Sequence, residues 1–246
     1  MNQRRWRLMS AAALMAIAAA LYGLQIDLFH SRRDTFFYLL QDLAFIPIQV
    51  LLVTLVVDQF LRVRERAVLV KKMNMVIGAF FSEVGTTLLG SCRAFDRGSG
   101  ELGGKMAVGP AWTARQFAEA AEGLKAHKFD TACEAGDLAA LQTFLVARRG
   151  FLLGLLENQN LLEHETFTEL LWAVFHLMEE LESRRDLGSL SRPDSDHLAG
   201  DIKRAYVLLI KEWLFYMAHL KSDYPYLFSL AVRKNPFTPG VPVEIQ

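Results

Sequence analysis

The residues best suited to chemistry in this chain are histidines beside carboxylates. His164, His176, His197 and His219 are the candidate ligands, all in the second half. His176-x-x-x-Glu180 and His219-x-x-x-Asp223 each put an imidazole and a carboxylate one turn apart on a helix face. Imidazole nitrogen and carboxylate oxygen together suit a divalent transition metal. In helical bundles, such pairs on facing helices build di-iron sites.

This spacing resembles the haemerythrin-like arrangement, which also uses His-x-x-x-Glu. The resemblance implies a metal held within a bundle, and it stops at those few positions. The His-x-x-x-His pair expected between them is missing, and His176 lies off the apolar stripe of its own helix. The sequence therefore assigns no metal, no cofactor and no catalytic residue. His176 and His219 read as solvent-facing histidines beside helix charges.

Other chemical motifs fail on their surroundings. Gly98-x-Gly100-x-x-Gly103 matches the dinucleotide pattern in letters, but no strand precedes it to form the strand–turn–helix that holds a pyrophosphate. Gly104-Lys105 hints at a phosphate loop, yet Ser99 stands at the first glycine position and Met106 where a metal-binding hydroxyl is needed. Cys92 and Cys133 are the two cysteines, too few and too far apart for a disulfide framework or a C-x-x-C site. They read as reduced thiols. The formal net charge of zero argues against nucleic acid, whose binding needs a basic excess.

The elements that would position these residues begin in a membrane. Hydrophobic residues make up 52% of the 246 and gather in the first 60 positions. Residues 8–26 are apolar or small and uncharged, enough for a first span. Ala18–Ala20 also fits a signal-peptidase site, but the apolar run continues through Ile26, so the span is expected to be retained. Ala12, Ala16 and Ala20 offer a small face for helix packing in lipid. A second span over 36–60 has its cleanest core at Leu43–Val57, between Asp42 and Asp58, with Pro47 as a kink. Asp42 and Gln49 raise the alternative of a small channel or transport subunit. Arg4, Arg5 and Arg7 before the first span, and the Arg62–Lys72 segment after the second, outnumber Arg32 and Arg33 between them. The positive-inside rule then puts both termini in the cytoplasm.

A stalk over 62–90 should follow. Arg62, Arg64, Arg66, Lys71 and Lys72 form a basic cluster at headgroup level, suited to anionic lipid. Val63, Val70, Asn74, Ile77, Phe81 and Val84 fall at alternating four- and three-residue spacings. This pattern suits an oligomer seam in which Asn74 is the polar residue that can fix register. The competing reading is an amphipathic helix on its own domain, since Leu69, Met73, Val76 and Phe80 widen the apolar face.

Residues 91–110 carry six Gly or Pro and read as a flexible linker. A bundle of four to six helices should fill 111–234. Its helices are expected over 112–128 and 130–149, with a possible extension to 162. A third starts at the capping box Thr166-x-x-Glu169, and the others cover 196–222 and 224–234. The 196–222 helix is apolar on most sides at its middle and should be central. An extended, proline-rich tail covers 235–246.

The fold class is thus all-α: a two-span hairpin, a helical stalk and a cytoplasmic bundle. The expected protein is a multi-pass one of the bacterial inner (plasma) membrane. It is read as a non-enzymatic interaction or regulatory module, homo-oligomeric, with membrane lipids and an unidentified protein as partners. A carboxylate–histidine metalloprotein is the enzyme-class alternative.

Overall fold

The computed structural model describes residues 3–29, 32–158, 161, 164–238 and 242. All regular structure among them is helical, apart from one isolated antiparallel bridge between Asp96 and Thr131. The chain divides into two units, Met1–Arg66 and Ala67–Gln246.

The first unit holds α1 (Gln3–Phe29) and the start of α2 (Arg32–Phe80). Its helices form on apolar runs rich in the strong helix formers Ala and Leu, with Pro47 lying inside α2. Every residue from Phe36 to Glu65 is exposed. The Tyr22 hydroxyl of α1 donates to Asp42 Oδ2 of α2 at 3.3 Å. That bond gives the rim acid a partner within the helix pair. The polar connection near His30 lies outside the described residues.

α2 has 49 residues, about 73 Å at 1.5 Å per residue, and its last turns belong to the second unit. There Met73, Ile77 and Phe80 are buried. The helix then passes through a π turn, Phe81–Gly85, into α3 (Thr86–Ala94). Thr86 gives both its N–H and its hydroxyl (2.7 Å) to the Phe81 carbonyl, five residues back. The shift lets Phe80, Phe81 and Val84 all turn inward, where each is fully buried.

The predicted linker is folded instead. Cys92, Phe95, Leu102 and Met106 are at most 1% exposed, and Ser99–Lys105 is a short helix, α4. Asp96 fixes the turn: its buried Oδ1 accepts from the N–H groups of Gly98 (3.0 Å) and Asp130 (3.3 Å). The stretch is thus ordered by its buried apolar residues and by Asp96 despite its glycines.

α5 (Ala114–Ala126) opens on a capping box of Thr113 and Gln116. The helix expected over 130–149 is broken: the short 3-10 turn Cys133–Ala135 precedes α6 (Leu138–Val146), which Asp137 caps. α7 (Arg149–Leu156) follows at a 58° bend. α8 (Glu165–Glu182) starts one residue before Thr166, because the His164 imidazole accepts the Phe167 N–H and acts as the cap. α9 (Arg192–Asp223) begins earlier than expected, with Ser191 as cap and Pro193 in its first turn, where a missing N–H costs nothing. α10 (Pro225–Arg233) closes the bundle.

α9 is the central helix, touching α3, α5, α8 and α10. Leu198, Ile202, Tyr206, Leu209 and Trp213 are its buried spine. The beginning of the predicted tail packs too. Asn235 Nδ2 donates to the Met106 carbonyl at 3.0 Å, and Phe237 lies against Trp213. From residue 239 on, the tail lies outside the described residues except at 242.

Candidate functional site

The residues proposed from sequence separate into two places. Arg62, Arg64, Lys71 and Lys72 are exposed on α2, and Arg62 lies 3.9 Å from Asp58. The side chains of Arg4, Arg5, Arg7 and Arg66 lie outside the described residues. The seam divides. Val63 and Val70 are exposed, whereas Ile77, Phe81 and Val84 are buried within their own chain. Asn74 pairs with His219, Nδ2 to Nδ1 at 3.2 Å. The lower seam is therefore intramolecular core, as the widened apolar face at Met73 and Phe80 required.

The second place lies between α8 and α9. His176 and Glu180 project from α8, and His197 and Asp201 from α9. His176 Nε2 is 3.5 Å from Asp201 Oδ2, and His197 Nε2 is 3.3 Å from the same oxygen. Glu180 completes the group, with Oε1 3.8 Å from His176 Nε2 and Oε2 3.6 Å from His197 Nε2. The Asp201 side chain is 3% exposed; the imidazoles are 45% and 53% exposed.

Guanidiniums hold the outer edges. Arg204 Nη1 donates to Asp201 Oδ1 at 3.0 Å. Arg184 Nη1 donates to Glu180 Oε2 at 2.7 Å and to the Glu180 carbonyl. The rest of the Arg184 guanidinium grips Asp194 with both Nε and Nη2. The Arg184 hydrogen bond pulls the carboxyls of Glu180 and Asp194 below their usual range. Asp201 Oδ2, aimed at the imidazoles, is buried with no hydrogen-bond partner among the described residues. Such an arrangement can act as a charged clasp between two helices or as a donor set for a cation.

His219 is not part of it. It lies 22 residues after His197 on the same helix, about 33 Å away along the axis. Instead its Nδ1 faces Asp223 Oδ2 at 3.3 Å. Sequence reasoning set His219–Asp223 beside His176–Glu180 and did not single out His197 with Asp201. His197-x-x-x-Asp201 has the same spacing as His176-x-x-x-Glu180 and sits on the helix that directly follows, which was the available signal. His164 is spent on capping α8. The cysteines are buried and free, and burial pushes the Cys92 thiol up to about 12, away from any nucleophilic role.

Two family models match this chain. One, described as "Uncharacterized protein MJ1433, C-terminal helical domain", covers residues 69–233. The other, "MJ1433, N-terminal helical domain", covers residues 2–61. The chain belongs to the MJ1433 family. It is 41% identical over 237 residues to "Uncharacterized protein MJ1433" of Methanocaldococcus jannaschii, which spans 96% of this chain and 95% of that relative. The gap between the two matches falls at residues 62–68, where the structure also divides into units. No solved structure matches the chain.

Proposed function

We propose that this chain is a membrane-anchored helical module, non-catalytic, that holds its α-helical unit at the cytoplasmic face of the cell (inner, plasma) membrane. One observation carries the reading: α2 exposes every side chain from Phe36 to Glu65, including the uncharged run Leu43–Val57. A contiguous apolar surface of that length has no place on a water-soluble monomer. In a bilayer each central Leu, Ile, Phe or Val instead favours insertion by about 0.3–0.6 kcal/mol. The exposed cations Arg62, Arg64, Lys71 and Lys72 follow directly, where anionic headgroups would meet them. α2 then runs on into the core through Met73, Ile77 and Phe80, so a tilt or rotation of the span would reach the bundle through one element. Association of copies is proposed to use the spans, with Val63 and Val70 as the exposed part of the seam.

The test is extraction of membranes carrying the full chain. The chain should remain in the pellet at alkaline pH and dissolve only in detergent, with reporters fused to the two ends active on the cytoplasmic side. Release by alkaline carbonate would overturn the anchor. A reporter at either end active on the outer side would overturn the topology. Sedimentation in detergent as a monomer would remove the oligomer.

A further inference from the structure

We infer that His176, His197, Asp201 and Glu180 bind one divalent transition metal ion of the zinc class, clamping α8 to α9. The donor geometry is the first observation. The four ligand atoms all lie within 4.8 Å of one another. The contacts between the imidazoles and carboxylates are 3.3, 3.5, 3.6 and 3.8 Å. A tetrahedral ion with bonds of about 2.0–2.2 Å sets its ligands about 3.3–3.6 Å apart. The two imidazole contacts to Asp201 Oδ2 fall in that range, and the Glu180 carboxylate must turn to bring one oxygen to both imidazoles.

The second observation is Asp201. Arg204 holds Oδ1, which leaves Oδ2 fixed toward both imidazoles. That oxygen is buried and has no hydrogen-bond partner among the described residues. A buried carboxylate oxygen without a donor is costly, and a cation between it and two neutral imidazoles would satisfy it. The Arg204 contact is the outer support that ligating carboxylates commonly have. Arg184 supports Glu180 in the same way.

Charge and access agree. The carboxylates of Glu180, Asp201 and Asp194 outnumber the guanidiniums of Arg184 and Arg204, so a dication is tolerated. Both imidazoles are about half exposed, so an ion can reach the site from solution. Two nitrogen donors disfavour calcium and magnesium, which take oxygen sets. Each helix supplies one His-x-x-x-carboxylate pair, so the ion would bridge the loop at residues 183–191 and stiffen the α8–α9 junction.

The test uses the full chain in detergent, purified without a polyhistidine tag and stripped with chelator. Zinc chloride and cobalt(II) chloride are the probes. The wild type should retain one zinc per chain after desalting, gain thermal stability on adding zinc, and give cobalt an intense four-coordinate visible spectrum. The pair His176→Gln with His197→Gln should abolish all three. Both positions are half exposed, so folding should persist, and helical circular dichroism checks it. Arg204→Ala should weaken zinc by roughly 10–100-fold. His219→Gln should leave zinc retention and the cobalt spectrum unchanged. Zinc retained by the double variant, or absent from the wild type, overturns the site and leaves a metal-free clasp of ion pairs. A six-coordinate cobalt spectrum would overturn the tetrahedral assignment.

Discussion

Asn74 Nδ2 lies 3.2 Å from His219 Nδ1, joining the end of α2 to the last turns of α9. Asn74 holds the polar position of the seam expected to join copies of the chain. His219 belongs to a histidine–carboxylate pair that the sequence reads as solvent-facing. Instead the two side chains meet within the chain, and Asp223 Oδ2 lies 3.3 Å from the same ring nitrogen. A polar residue already bonded within its own chain is not free to set register between chains.

Breaking this contact should therefore affect stability rather than assembly. Asn74→Ala and His219→Ala should each cost about 1 kcal/mol, the usual net worth of such a bond. A double-mutant cycle on the detergent-solubilised chain, read by urea unfolding, should give a coupling energy of about 0.5–1.5 kcal/mol. The oligomeric state should not move. Zero coupling, or dissociation in Asn74→Ala alone, would restore the intermolecular seam.

Much of the helical layout was readable because periodicity reports burial. The stripe Phe167, Leu170, Leu171, Val174, Leu177, Met178 and Leu181 is buried throughout, and so are Leu198, Ile202 and Trp213 on the central helix. The glycine-rich stretch misled, because composition cannot distinguish a loose tether from a tight turn. Leu102 and Met106 fill the core, and a buried Asp96 gathers the turn's N–H groups. The site was half legible. Spacing on one helix marks which residues share a face, but not which faces meet. Only the antiparallel return of α9 on α8 brings His197 and Asp201 to His176 and Glu180.

Two glycines should respond oppositely to the same substitution. A Cβ at Gly85 would come within 2.6 Å of the Phe81 ring and 2.7 Å of the Phe80 ring. Both rings are fully buried and cannot yield. Gly85→Ala should cost about 1–3 kcal/mol, as overpacking does. At Gly123, inside α5, nothing lies within 4 Å. Gly123→Ala should add about 0.5–1 kcal/mol from helix propensity. Thermal unfolding of the two variants beside the wild type tests both signs.

The Arg184–Asp194 pair should set part of the acid sensitivity. Its hydrogen bonds, the shortest 2.6 Å, hold the Asp194 carboxyl below its usual range. A depressed carboxyl contributes stability above its unfolded pKa, near pH 4, and loses it as pH falls through the lower folded value. Wild type should exceed Arg184→Ala in melting temperature at neutral pH, and the gap should close below about pH 4. Melts in chelator across that range would show it. A gap that persists unchanged into acid would mean that Arg184 acts through packing alone.

Glu212 carries the last prediction. It sits on α9 beside Trp213, 1% exposed, and neither carboxylate oxygen has a hydrogen-bond partner among the described residues. A buried acid without donors costs stability, whereas an apolar side chain of similar volume at the same place does not. Glu212→Met should raise the unfolding midpoint, with a gain of about 1–3 kcal/mol, the desolvation cost of such an unsatisfied group. Glu212→Gln should gain less, because the amide is still polar and equally buried. The order Met above Gln above Glu is the signature to look for in urea unfolding. The reverse order would place ordered water beside the carboxylate, bonding it from inside the bundle.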